Sequence, residues 1–323
     1  MRGKIGLEEH FVTAALEEDC ITAVGWDPKE WRGVLDRLED FDERIAQMDE
    51  LGIEVMVVSL GSDGAQGIAD SSKATLIAQE ANDALAGIVA RQPNRFAGFA
   101  AVAMQDPRGA ADEAERCVRQ LGFRGVLVNG YSDMPDGSGA YYDAADYIEF
   151  WERIAELGVP FYLHPRNPLA ANAGIYNGRE ELLGPSWAFA VETGTHALRL
   201  ITSGLFDRVP KLQIILGHMG EQLPFAMARL EQRISHDPKV KLKRSPRRVF
   251  RENFHITTSG NYHTPSLLGA MLELGADRVM FSTDYPFEQM RDAAEWFDAL
   301  AISEADRMKI GRTNAETLLR LGD

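Results

Sequence analysis

Eight short apolar runs of strand length punctuate this chain, at 4–9, 54–60, 96–104, 123–129, 159–164, 212–217, 253–258 and 278–283. Between most of them lie longer amphipathic stretches, such as SKATLIAQEANDALAGIVARQ, YIEFWERIAELG and LPFAMARLEQRI. Short buried strands that alternate with helices do not pair as hairpins; they build parallel βα units. Eight units predict a closed (β/α)8 TIM-type barrel, a single domain over 1–323, with EADRMKIGRTNAETLLRLG as the closing helix. An open doubly wound sheet fits less well, because no G-x-G-x-x-G follows the first strand and no P-loop occurs.

The connections are asymmetric. Leu51-Gly52, Leu121-Gly122, Leu157-Gly158 and Leu274-Gly275 each close a helical stretch just before a strand. Glycine there predicts a tight left-handed cap. The strand-to-helix segments 11–40, 130–146 and 165–186 are long by contrast. Elaborated loops at the strands' C-terminal ends place the functional site on that face.

Charge narrows the function. Thirty-four basic against 49 acidic residues give −15, which opposes binding to nucleic acid or to an anionic membrane. An anionic substrate would therefore need a local positive centre, a metal or an arginine. Cys20 and Cys117 are the only cysteines, too few for a disulfide framework. The start MRGKIGLEEHF is too short and acidic for a signal peptide, and no apolar stretch approaches the roughly 20 residues of a membrane helix. A cytoplasmic protein is expected.

Four polar residues of metal-ligand type interrupt this apolar pattern at strand ends. They are Glu8 and His10 in KIGLEEHF, His164 in VPFYLHP and Asp284 in RVMFSTDYP. Such groups are costly to bury unpaired. Glu8 and His10, two apart in a strand, share one side, which in a barrel is the interior, and Glu9 points out to helices or solvent. Each residue has a bland alternative: a solvated strand end for Glu8 and His10, a core histidine for His164, a helix N-cap for Asp284. Together they offer two carboxylates and two imidazoles, a set suited to Zn²⁺ or Mn²⁺. His218 and Glu221 in HMGE follow strand six. They form a His–carboxylate dyad if a helical turn starts there; otherwise Glu221 is a first-turn acid and His218 a structural strand end. Arg229, eight residues on in LPFAMARL, reads from the sequence alone as a surface helix arginine. His196, His236, His255 and His263 look ordinary.

These residues sit in longer phrases, GKIGLEEHF, FYLHPRNPL, LGPSWAFAVETGTHALRL, LFDRVPKLQIILGHMGE, ENFHITTSGN and FSTDYPFE. Over essentially its whole length the chain resembles the metal-dependent decarboxylase branch of the amidohydrolase superfamily. It is most similar to the gamma-resorcylate (2,6-dihydroxybenzoate) decarboxylases, and close to those acting on 2,3-dihydroxybenzoate and 5-carboxyvanillate. The resemblance implies an amidohydrolase-like barrel. It also implies one Mn²⁺ or Zn²⁺ on Glu8, His10, His164 and Asp284, with no organic cofactor. His164, His218 and Arg229 are implied to face a small aromatic hydroxy acid, Arg229 from within the chain or from a neighbouring subunit. A homo-oligomer, dimer or tetramer, is implied as well. The chain departs from many superfamily hydrolases in carrying E-x-H rather than H-x-H on strand one. Val128-Asn129-Gly130 ends strand four where binuclear members carry a bridging lysine, which argues against a second metal. In segment 12–27 the aromatic cover expected over a ring is reduced to Trp26.

The expected reaction is non-oxidative loss of CO₂ from an ortho-hydroxybenzoate. Asp284 protonates the ring carbon, and His218, oriented by Glu221, serves the phenol. A metal-dependent lactonase and a non-catalytic binding protein are the alternatives.

Overall fold

The computed structural model describes residues 1–21 and 27–322. Eight parallel strands follow one another around a barrel in chain order. They are β1 (Lys4–Phe11), β2 (Ile53–Leu60), β3 (Phe96–Ala100) and β4 (Gly125–Asn129). β5 (Phe161–His164), β6 (Ile214–Leu216), β7 (Phe254–Thr257) and β8 (Val279–Met280) complete it. Register places His10 beside Ser59 and Asn129 beside His164, so the polar strand ends lie level at one rim.

β8 is much shorter than the run 278–283 predicts. Beyond Met280 the backbone leaves the ladder: Phe281 N donates to Ile310 O and Ser282 N to the Thr258 hydroxyl. The seam with β1 is closed instead by Tyr285 O, which accepts from His10 N at 2.8 Å, and by the Ser282 hydroxyl, which accepts from Glu8 N at 2.6 Å. Of the four Leu-Gly caps, Gly52, Gly122 and Gly158 take φ of 69°, 73° and 66°, as expected. Gly275, at φ 88° and ψ 152°, does not form the left-handed cap.

β1 carries a bulge. Gly6 pairs with Met56 but Glu9 with Val58, so three residues of β1 span two of β2. A bulge re-aims the side chains that follow it. Ile5 and Leu7 lie in the apolar floor with Val57, Phe99, Leu127 and Tyr162, and the C-terminal helix Asn314–Leu319 plugs that floor through Ala315 and Leu319. After the bulge, Glu8 and His10 also reach the interior, and Glu9 points out. A second, larger apolar cluster fills the space between strands and helices.

Candidate active site

Glu8, His10, His164 and Asp284 converge at the C-terminal rim. One ligand atom from each lies within 4.8 Å of all the others, and all four residues are buried. His10 Nε2 stands 3.3 Å from Asp284 Oδ1 and His164 Nε2 3.2 Å from Glu8 Oε1. Among the described residues, Glu8 Oε1 and His10 Nε2 nonetheless have no aligned hydrogen-bond partner. Buried polar atoms are almost always satisfied, so two orphans aimed at one point fit a divalent cation. The donor set, two carboxylate oxygens and two imidazole nitrogens, suits a first-row ion.

The rest of the shell orients these donors. Glu8 Oε2 accepts from the hydroxyls of Tyr162, Thr257 and Ser259, which leaves Oε1 to face the centre. Gly217 makes room for this carboxylate: a Cβ there would fall 2.5 Å from Glu8 Oε2. Ser59 Oγ lies 3.3 Å from His10 Nδ1 and turns Nε2 inward. Burial opposes the Glu8 charge, but His218, His164 and His10 outweigh it and hold the carboxyl well below its usual range. His164 is pushed down by burial and stays neutral, the form that binds metal.

His218 and Glu221 do form a dyad, with His218 Nδ1 2.8 Å from Glu221 Oε1. The turn that joins them is left-handed. His218, Met219, Gly220, Glu221 and Gln222 have φ of 49°, 60°, 79°, 52° and 64°. Glu221 is therefore not a first-turn acid of a right-handed helix; that helix spans Leu223–Ile234. Asp284, at φ 61°, is left-handed too, and its side chain caps no helix. Strained backbone of this kind concentrates at functional sites. The other ring nitrogen, His218 Nε2, lies 3.5 Å from Asp284 Oδ2 and 3.6 Å from Glu8 Oε1. Burial disfavours its charge, but the Glu8 and Glu221 carboxylates prevail and raise its basicity well above the usual. Burial likewise raises Glu221. Asp284 is pushed up by burial but pulled further down by the adjacent imidazoles of His10 and His218, and ends below its usual range.

A cleft opens over this centre. Its apolar walls include Trp31, Pro165, Pro185, Phe189 and Phe287, with Trp31 stacked on Phe287 at 6.3 Å and an interplanar angle of 19°. Ser62, Asp63 and Glu288 supply polar lining, and Arg166, itself buried, lies 3.7 Å from Asp63. Trp26, the expected ring cover, lies outside the described residues. Trp31 stands over the site on the helix Pro28–Glu39, which Asp27 caps. Its sequence signal was a tryptophan on the amphipathic helix that follows segment 12–27. Arg229 is exposed on Leu223–Ile234 and does not line the cleft of its own chain. Glu9 does point outward but meets no solvent: it is fully buried at the seam, pushed up to about 7 by burial against the hydrogen bonds from Thr283 and Tyr285. Asn129, at the end of β4, donates to Gly61 O and brings no carboxylate or amine to a second metal. A roomier cleft of about 890 Å³ opens at the opposite end of the barrel, around Pro160, Gln213, His255 and Arg278, and contains none of the candidate residues.

Comparison with known proteins agrees with this geometry. The amidohydrolase family profile matches residues 10–321. A gamma-resorcylate decarboxylase from Polaromonas sp. (strain JS666) is 54% identical over 327 residues, covering 99% of each chain. A crystal structure of a dihydroxybenzoic acid decarboxylase from that organism, with bound manganese and the inhibitor 2-nitroresorcinol, superposes with a TM-score of 0.97 at 53% identity, covering 100% of this chain and 98% of the other. A 2,6-dihydroxybenzoate decarboxylase complexed with 2,6-dihydroxybenzoate gives 0.96 at 51% identity, covering 99% and 100%.

Proposed function

Because this chain belongs to the amidohydrolase family, we propose that it is a metal-dependent carboxy-lyase that converts 2,6-dihydroxybenzoate to resorcinol and CO₂. The four-donor cluster beneath an aromatic-walled cleft carries this reading. Relatives that share half the sequence and essentially all of the fold act on that acid. Glu8, His10, His164 and Asp284 would hold one divalent ion, manganese by analogy with the Polaromonas structure. When bound, it supplies Lewis-acid stabilisation and an anchor for a carboxylate and its neighbouring oxygen.

The chain's own residues do the rest. Trp31 and Phe287 enclose an aromatic ring and exclude water. Direct loss of CO₂ would leave an aryl carbanion, so the carboxyl-bearing carbon must be protonated first. Asp284 enters as a carboxylate. The approach of an anionic substrate makes the site more negative and favours proton uptake by Asp284. His218 Nε2, 3.5 Å from Asp284 Oδ2, lies on the proton path. Glu221 fixes the imidazole and raises its basicity, so His218 enters protonated; as it takes up the phenolic proton it passes its own to Asp284. Asp284 delivers it to the ring carbon while electrons flow from the ortho oxygen. The carbon–carbon bond then breaks, its electron pair restores the aromatic ring, and solvent reprotonates the oxygen.

Arg229 acts from a neighbouring copy in this account. Phe225 on the same helix is 63% exposed and Leu272 86%, apolar surface suited to burial in a homo-oligomer, dimer or tetramer. Among the described residues no helix is long and apolar enough to cross a membrane. Free, buried Cys20 and Cys117 suit the reducing cytoplasm.

The test is CO₂ release by metal-stripped and manganese-loaded protein across 2,6- and 2,3-dihydroxybenzoate, 5-carboxyvanillate and an aromatic lactone. The loaded enzyme should release CO₂ fastest from the 2,6-isomer. No CO₂ from any hydroxybenzoate, or lactone opening instead, would overturn the assignment.

A further inference from the structure

The backbone that carries Asp284 is gripped by a carboxylate that touches neither the cleft nor the metal cluster. Glu9 is 0% exposed on the outer side of β1. Its Oε1 accepts from the Ser282 hydroxyl at 3.1 Å and from Thr283 N at 2.9 Å. Its Oε2 accepts from the Thr283 hydroxyl and from Tyr285 N at 3.2 Å. The amide groups on both sides of Asp284 therefore point at one side chain. Between them Asp284 holds φ 61°, a conformation that L residues rarely adopt unless their surroundings impose it.

Two further features serve this grip. Gly6 leaves the space Glu9 occupies, since a Cβ there would fall 2.3 Å from Glu9 Oε1. Arg44, fully buried, donates to His10 O at 2.6 Å and lies over the Tyr285 ring at 4.9 Å. It ties β1 to the same segment and places a positive charge near Glu9. A ladder cannot do this work, because β8 ends at Met280, before the segment begins.

We infer that Glu9 is a positioning residue: by binding the backbone of 282–285 it fixes Asp284 in the left-handed conformation that aims its carboxylate at His10 and His218. This rests on the reading that Asp284 moves the proton and holds metal. The seam thus links the outer wall of β1 to the chemistry inside the barrel, with Glu8 and His10 facing in and Glu9 holding their counterpart from behind.

Two variants test it. Glu9→Gln keeps the shape but turns one acceptor into an N–H donor facing backbone donors. Thr283→Val keeps the volume and deletes one hydroxyl donor. Each is measured for Mn²⁺ affinity by calorimetry on metal-stripped protein, and for kcat and KM per metal-loaded site. Displacing a catalytic group by an ångström costs roughly a hundredfold, so Glu9→Gln should lower kcat about 10- to 100-fold with KM little changed. Loosening an outer-shell partner weakens metal binding by about tenfold or more, and Mn²⁺ affinity should fall accordingly. Thr283→Val should move both the same way by less, with melting close to the parent. A merely structural Glu9 would lower stability and leave kcat per loaded site and Mn²⁺ affinity unmoved; that result overturns the inference. If Glu9→Gln does not fold, an unchanged kcat and Mn²⁺ affinity in Thr283→Val overturns it instead. A parent inactive on every hydroxybenzoate would sink the functional reading, while the Mn²⁺ arm would still decide the role of Glu9.

Discussion

Gly220→Ala probes the left-handed turn that holds the dyad. Gly220 has φ 79° and ψ 30°, and it lies between four non-glycine residues that are also left-handed. An L side chain in that region costs about 1–2 kcal/mol. The new Cβ would also fall 2.8 Å from Ile256 Cγ2 and 3.2 Å from Pro224 Cδ, and these are packed atoms with little room to yield. Overpacking of this sort costs about 1–3 kcal/mol. Reduced freedom of the unfolded chain returns about 0.4–1 kcal/mol, and we expect a net loss of roughly 2–4 kcal/mol. Gly87→Ala is the control. It lies within the helix Ser71–Arg91, its Cβ would meet nothing within 4 Å, and the same change there should stabilise by about 0.5–1 kcal/mol. Urea unfolding of parent and both variants gives the two signs. Because the turn sets the 2.8 Å bond between His218 and Glu221, Gly220→Ala should also lower kcat. A Gly220→Ala variant as stable and active as the parent would refute the strained-turn argument.

Two other predictions follow from buried groups. Tyr162→Phe removes one of the three hydroxyl donors on Glu8 Oε2, and Mn²⁺ affinity measured by calorimetry should drop about 10- to 100-fold; an unchanged affinity would mean that these hydroxyls do not orient the ligand. His196 is fully buried, and burial, reinforced by the charge of Arg199, pushes it down to about 3. Its Nε2 accepts from Tyr142 N, so it must stay neutral. The unfolded chain takes up this proton below about 6.5 and the folded chain does not until about 3, so stability is full above the unfolded value. It is lost by about 1.4 kcal/mol per pH unit as pH falls through that window. His196→Gln, which keeps an acceptor, should show a shallower loss of stability from pH 6.5 to 4; equal slopes would contradict the assignment.

The barrel and the four-donor cluster were legible because each is written in local pattern. Apolar runs mark buried strands, and a His or carboxylate at the end of such a run is costly unless it has a partner. Geometry made by the chain's distant parts was not. Nothing in KIGLEEHF announces a bulge, because the extra residue shows only against Met56 and Val58. Glu9 was placed outward by alternation, but its burial depends on how early β8 ends and where 282–285 then goes. In HMGEQ, Gly220 alone hints at a left-handed turn, and His218, Met219, Glu221 and Gln222 follow it against their own preference. Trp31 was hidden as one apolar residue on an amphipathic helix whose approach to Phe287 is a tertiary fact. Arg229 is exposed and lies outside the cleft of its own chain, so the structure does not bring it to the other site residues.

In the proposed reaction the proton that reaches the carboxyl-bearing ring carbon comes from a solvent-exchangeable acid. Decarboxylation of 2,6-dihydroxybenzoate in D₂O, followed by NMR of the product, tests it directly. One deuterium is expected at the vacated ring position in every product molecule. A product that carries protium there would contradict it.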